Sequence, residues 1–445
     1  MGVVEIIRHA VPLGLANMSV VFMPLIDSVM LSHYEVGSMS AGGMMFQFYA
    51  VLFVFGEGLL LGFSPVYGRY LESASAQAAT DVHVATLSVV LVYWLLACSV
   101  MLLVPAFLGA LGLSTGLIAG GQGYLWMLAI ALLPNLLFMH YWEILAYHGK
   151  SQLVLLGAAS QTIVNVLLNY CLIYGHLGLP EWGLIGAGVG TLVASIFGAI
   201  WLILILRLSM RPRLRHTYRS WGKTCSVRFG LAKEVVFLGV PIGISIVITV
   251  AFLALSVILM GRFTESYLAA HLAVLQMNEV VVVFALGFNE YCAVRMSSAL
   301  SLPRKALVHF IQQAVIASLL VVGILVLLLY VFSRHVALAF FSTGPLTDEL
   351  HQHMETFLAF SLPFLLVNAG VLVLAGVLRG MGETWAMLSA YLLGLWGVGL
   401  LAQVLAATLF PQMPLMVWAA LQCGFIVTLV GLAFAVLRLE ARFNA

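Results

Sequence analysis

Few residues in this chain could do chemistry, and Asp27 is the costliest of them. It lies in Pro24-Leu25-Ile26-Asp27-Ser28-Val29-Met30-Leu31, late in the first apolar segment. A carboxylate at bilayer depth costs about 2.5–3.5 kcal/mol, so it is expected to face a protein interior or a water cavity and to carry function. No Lys or Arg lies between Arg8 and Arg69 to neutralise it along the chain. Other acids in apolar runs are Glu57, Glu143, Glu279 and Glu290. Glu290 is near Arg295, which suggests an interfacial ion pair, and Glu143, shortly before Lys150, reads as structural. Glu57, in Phe55-Gly56-Glu57-Gly58, and Glu279, in Gln276-Met277-Asn278-Glu279, sit deeper. For both, lining a pathway and packing between helices stay open. The fifth apolar run adds neutral oxygens: Asn165 and Asn169 share one helical face at i, i+4, and Thr191 follows early in the sixth. An amide pair on a membrane helix serves either as ligands or as glue between helices. Carboxylates removed from water suit reversible uptake of a proton, and neutral oxygens beside them could hold sodium.

Catalysis has no comparable residue set. The chain has no glycine-rich loop with a Walker lysine, no nucleophile elbow and no paired-His motif. His83, His140, His271 and His309 are isolated in the sequence and read as helix-packing residues. Cys98, Cys171, Cys225, Cys292 and Cys423 show no metal-type spacing or disulfide framework. The expectation is a non-enzyme that needs no cofactor and no structural metal.

The elements that must position these residues are membrane helices. The composition is 63% hydrophobic and 8% charged, against roughly 25% charged residues in soluble domains. Runs of about 20 apolar residues predict spans at 8–32, 42–68, 84–108, 122–146, 153–174, 184–208, 235–260, 268–294, 306–332, 352–378, 386–410 and 416–437. Of the 19 Lys and Arg residues, all but Arg262 and Arg334 fall on one side of these spans. The positive-inside rule then makes that side, with both termini, cytoplasmic. Arg8 and His9 precede the first span with no small-residue cleavage site after it, which predicts a retained helix rather than a signal peptide.

The basic connection 208–234 divides the chain into an N-lobe, 1–207, and a C-lobe, 235–445. It reads as a topology-setting linker, with no nucleic acid as partner. The lobes repeat: a shift of 229 residues lays Val11-Pro12-Leu13-Gly14-Leu15 on Val240-Pro241-Ile242-Gly243-Ile244. The same shift lays Phe55 on Phe284 and Gly58 on Gly287, and carries Asp27 onto Ser256. Six spans per repeat is even, so the lobes are parallel, an arrangement typical of secondary transporters that bind substrate between the halves.

These features resemble a known family. Asn169-Tyr170-Cys171-Leu172-Ile173-Tyr174-Gly175, Pro180-Glu181-Trp182-Gly183 and Gly186-Ala187-Gly188-Val189-Gly190-Thr191 look like the span five to six signature of multidrug and toxic compound extrusion (MATE) transporters. Ile26-Asp27-Ser28, Ala269-Ala270-His271 and Leu378-Arg379-Gly380-Met381-Gly382-Glu383-Thr384 add to the match. The resemblance, to NorM- and DinF-like members of the MOP flippase superfamily, spans essentially the whole chain. It implies an all-α polytopic fold of twelve helices in two parallel six-helix lobes around a central cleft. It also implies a monomer in the bacterial inner membrane, surrounded by lipid, that exports bulky cationic or amphipathic compounds in exchange for H⁺ or Na⁺. A dedicated exporter of one metabolite, such as a siderophore, and a lipid-linked flippase of the same superfold are the alternatives. The family's N-lobe cation site falls on Asp27, Asn165, Asn169 and Thr191, with Asp27 the point for sodium if sodium is the ion. NorM-type C-lobe acids fall on Thr249 and Asn368, neither of them an acid, so the family's second cation site departs from its pattern here. With Glu57 and Glu279 these two remain as possible cleft-lining residues.

Overall fold

The computed structural model describes residues 2–34, 36–73, 76–110, 115–209, 229–297, 304–332, 348–410 and 412–442. These residues are helical with no strand among them. The helices are α1 (Val3–Tyr34), α2 (Val36–Leu60), α3 (Phe63–Ser73), α4 (Ala76–Ala110), α5 (Thr115–Tyr147), α6 (Ser151–Tyr174) and α7 (Gly183–Ser209). Then follow α8 (Phe229–Met260), α9 (Glu265–Ser297), α10 (Arg304–Val331), α11 (Asp348–Gly380), α12 (Thr384–Leu409) and α13 (Leu415–Arg442). Among the described residues, 12 candidate spans are long and apolar enough to cross a membrane, the number read from the sequence. Most of the basic connection, 210–228, lies outside the described residues, with Arg211, Arg213, Arg215, Arg219, Lys223, Cys225 and Arg228. So does Arg334.

One span departs from the reading of an unbroken helix over 42–68. The second candidate span, Ala41–Leu71, is interrupted at Leu61–Gly62 between α2 and α3. Pro65 supplies no N–H for the carbonyl of Leu61, so it sits in the first turn of a new helix, where a missing donor costs nothing. Gly62 at the break lies where a Cβ would meet the backbone nitrogen of Gly239 at 2.6 Å. Another irregularity is in α12, where Leu392–Gly399 winds as a π-helix. Its glycines let α13 approach: a Cβ on Gly399 would lie 3.0 Å from the Cα of Gly424.

The chain forms two compact units, Ala16–Gly243 and Met1–Leu15 with Ile244–Ala445. α1 and α8 are each divided between them, at corresponding points of the repeat. The same small-residue contact is therefore built once in each unit. In one, Gly14 lies where a Cβ would meet Phe284 Cα at 2.8 Å, with Gly287 against Ala10 and Gly14. In the other, Gly243 lies against Phe55 and Gly58 against Gly243. Side chains of ordinary size would hold these helix backbones apart, so glycine at these positions follows from the approach itself.

Candidate functional site

Within the unit Ala16–Gly243, α6 and α7 pack antiparallel in a register that pairs glycines with amides. Gly190 faces Asn169 and Gly198 faces Gln161; a Cβ on either glycine would collide with the amide oxygen opposite. One helix thus provides space where the other provides polar side chains. Asn165, between the two amides, is wholly buried and faces Thr191 of α7.

α1 brings Asp27 to this seam. Its carboxylate, 5% exposed, accepts a hydrogen bond from Asn169 Nδ2 to Oδ1 at 2.5 Å and another from Thr191 Oγ1 to Oδ2 at 3.3 Å. Asn165 closes the ring, donating from Nδ2 to Thr191 Oγ1 and accepting from Asn169 Nδ2, both at 3.4 Å. Asn169 Oδ1 is buried without a partner among the described residues. No described Lys or Arg forms an ion pair with Asp27. The carboxylate is held by neutral donors, which satisfy its oxygens without cancelling its charge. That leaves a site at which one positive charge can be taken up and given back.

Residues absent from the sequence reading extend this polar seam. Gln161, one turn before Asn165 on α6, donates from Nε2 to Asn135 Oδ1 at 3.2 Å, and Asn135 Nδ2 donates to the Tyr49 hydroxyl at 2.8 Å. Gln161, Asn165 and Asn169 form an i, i+4, i+8 stripe that the sequence displays. Tyr124 of α5, also buried, is near enough to Asp27 and Tyr49 to feel both electrostatically.

The other candidates are placed differently. Glu57 is half-buried in α2. In the second unit, Thr249 is half-buried and donates to the Ser245 carbonyl of its own helix at 2.8 Å. Glu279 is half-buried in α9, and Asn368 is buried in α11. Among the described residues no hydrogen bond joins Thr249, Glu279 and Asn368 to one another. Glu143 accepts a hydrogen bond from Ser64 inside the protein, in keeping with a structural role. The histidines are not all isolated. His140 Nε2 and His83 Nδ1 are 2.7 Å apart in fully buried stacked rings, and His271 Nε2 lies 3.1 Å from Ser256 Oγ. Partners on different helices, such as α4 and α5, leave no local pattern by which a sequence could reveal them.

Comparison with known proteins places this geometry in context. The MatE family profile matches residues 12–171 and 241–405. A probable multidrug resistance protein NorM of Streptococcus pneumoniae (strain ATCC BAA-255 / R6) is 27% identical over 403 residues, covering 89% of this chain and 85% of the relative. The probable NorM of Agrobacterium fabrum is 26% identical over 395 residues, covering 88% and 84%. Among solved structures, a mutant of the Vibrio cholerae MATE transporter VcmN superposes with a TM-score of 0.85 at 16% identity, over 99% of this chain and 97% of that one. The eukaryotic MATE transporter AtDTX14 superposes with a TM-score of 0.82 at 16% identity, over 98% and 97%. At such identities the structural likeness concerns the fold.

Proposed function

Because this chain belongs to the MatE family, as a NorM-like MATE transporter, we propose that it exports bulky organic compounds in exchange for a coupling cation bound at Asp27. The cargo class is cationic or amphipathic molecules, and the setting is the bacterial inner membrane with both chain termini in the cytoplasm. The observation that carries this reading is the Asp27 carboxylate, buried and satisfied by Asn169 and Thr191 but without a basic partner among the described residues. An uncompensated charge in a low-dielectric interior strongly favours one neutralising cation and disfavours a second. Coupling ion and cationic cargo then bind in alternation, which is the requirement for antiport.

The donor arrangement supports a proton as the coupling ion. Both carboxylate oxygens already face N–H or O–H groups and Asn165 Oδ1 is turned toward Asn169 Nδ2, which leaves Asn169 Oδ1 as the one unengaged oxygen of the four residues' carboxylate and amides. Protonation needs only one carboxylate oxygen. A sodium ion would need several oxygens turned inward. Everted membrane vesicles with pH and sodium gradients imposed separately test this. A fluorescent organic cation should accumulate on the pH gradient with the wild-type chain and accumulate far less with Asp27→Asn at equal expression. Wild-type accumulation by the variant would sink the reading, and accumulation driven by sodium alone would replace the proton.

A further inference from the structure

α1 and α8 are the same element in the two repeats, and the alignment that fixes their glycines places Ser256 where the first repeat has Asp27. Ser256 is fully buried, and so is its neighbour His271 of α9. Ser256 Oγ lies 2.6 Å from the Leu253 carbonyl, its shorter contact, and we assign the hydroxyl hydrogen there. Its oxygen therefore meets His271 Nε2, 3.1 Å away, as an acceptor. Nε2 must then carry the ring hydrogen, and in the neutral imidazole Nδ1 is a bare lone pair. Nδ1 is buried with no partner among the described residues. The same is true of the Trp418 Nε1–H, whose ring lies 5.1 Å from His271 at 74°. Phe357 of α11 packs edgewise against the imidazole at 6.4 Å. Buried polar atoms ordinarily have partners, and two that lack one on rings in contact ask for an explanation.

We propose that His271 is a second proton-binding site, in the repeat that lacks the carboxylate. The incoming proton bonds to Nδ1, Nε2–H stays anchored on Ser256, and the ring gains one positive charge among the π-systems of Trp418 and Phe357. Asp27 passes from negative to neutral on protonation and His271 from neutral to positive. Each event raises its surroundings by one charge and so disfavours a cationic cargo in the same sense. The titratable groups of the same cluster are Tyr267, four residues earlier on α9, and His353 of α11, stacked on Tyr267 at 3.9 Å. His353 is engaged through Nδ1 with Ser266 Oγ at 3.1 Å. Farther along α9, Glu279 is half-buried. From α8 the ring meets Ser256, and from α13 it meets Trp418.

The proposal deepens the proton-coupling reading and rests on it. The test is the number of protons released into weakly buffered detergent solution when purified protein binds tetraphenylphosphonium, followed with a pH-indicator dye. Linkage predicts about two protons per cation for the wild type, about one for Asp27→Asn and about one for His271→Gln. Glutamine keeps a donor for Ser256 but cannot titrate. If His271→Gln matches the wild type while Asp27→Asn releases none, coupling at Asp27 stands and the His271 site falls. If neither variant changes the release, both fall. Should His271→Gln fail to fold, the Asp27→Asn protein decides alone: residual release requires a second site, and complete loss overturns it.

Discussion

The pairing of Gly190 with Asn169 makes a prediction whose size follows from the geometry. A Cβ at position 190 would land on Asn169 Oδ1, 3.2 Å from its Cγ and 3.4 Å from its backbone nitrogen. The amide cannot swing aside freely, because its Nδ2 is committed to Asp27 and Asn165. Gly190→Ala should therefore impose overpacking of about 1–3 kcal/mol and loosen a hydrogen bond to a charged acceptor worth about 1.5–3 kcal/mol. Improved helix propensity returns up to about 1 kcal/mol, for a net loss of about 2.5 kcal/mol. Asn169→Ala removes the same hydrogen bond without a clash and should cost about 2.5 kcal/mol. Independent sites would make the double variant about 5 kcal/mol less stable, yet with no amide at 169 the new methyl meets only space. The double variant should lose about 2 kcal/mol, a coupling of roughly 3 kcal/mol. Denaturant titration of the detergent-solubilised protein, followed by tryptophan fluorescence, measures all four corners of the cycle. Additivity to within about 0.5 kcal/mol would refute the claim that Gly190 exists to seat Asn169 against Asp27.

Three further outcomes follow from the same structure. His148, in the turn between α5 and α6, faces the Tyr67 hydroxyl at 3.1 Å, and burial with help from Lys150 pushes it from 6.5 down to about 4. Between those values only the unfolded chain takes the proton, so stability intact above pH 6.5 should decline by about 3 kcal/mol toward pH 4. His148→Gln should flatten that slope in denaturation midpoints measured across the range. Ser64→Ala deprives the buried Glu143 of a donor and should cost about 1–3 kcal/mol in thermal unfolding, with no change confirming that the contact is dispensable. Gly239→Ala would press a Cβ to 2.9 Å from the Leu59 Cα, where only backbone could yield, whereas Gly323 has open space around it. The first should lower the unfolding midpoint by an amount equivalent to about 2 kcal/mol, and Gly323→Ala should leave it level or raise it.

How far the sequence could be read depended on whether a feature lies along one helix or between several. The twelve spans were legible because apolar length is a property of each segment, and the error at Leu61–Gly62 arose where a proline was taken as riding within a helix whose first turn it in fact occupies. Asn165 and Asn169 were visible as one face of α6; their juxtaposition with Asp27 and Thr191 was suggested by resemblance to a family, since spacing alone cannot align four residues on three helices. Gln161 extends that stripe by one more turn and was legible in principle. His83 with His140 was not, because the register of α4 against α5 decides which rings meet.

Ser256 is the instructive intermediate case. Its equivalence to Asp27 can be read from the repeat, and taken alone it suggests a half that has lost its ionisable group. The repeat offset, however, sets His271 against Gly42, a position with no side chain. Nothing in the first half could announce that an imidazole fills the corresponding space in the second. A carboxylate projecting from α1 and an imidazole reaching α8 from α9 place a titratable group at related points by different routes, and on protonation each changes the local charge by the same amount and sign. Charge change, rather than residue identity, is the quantity the two halves have in common.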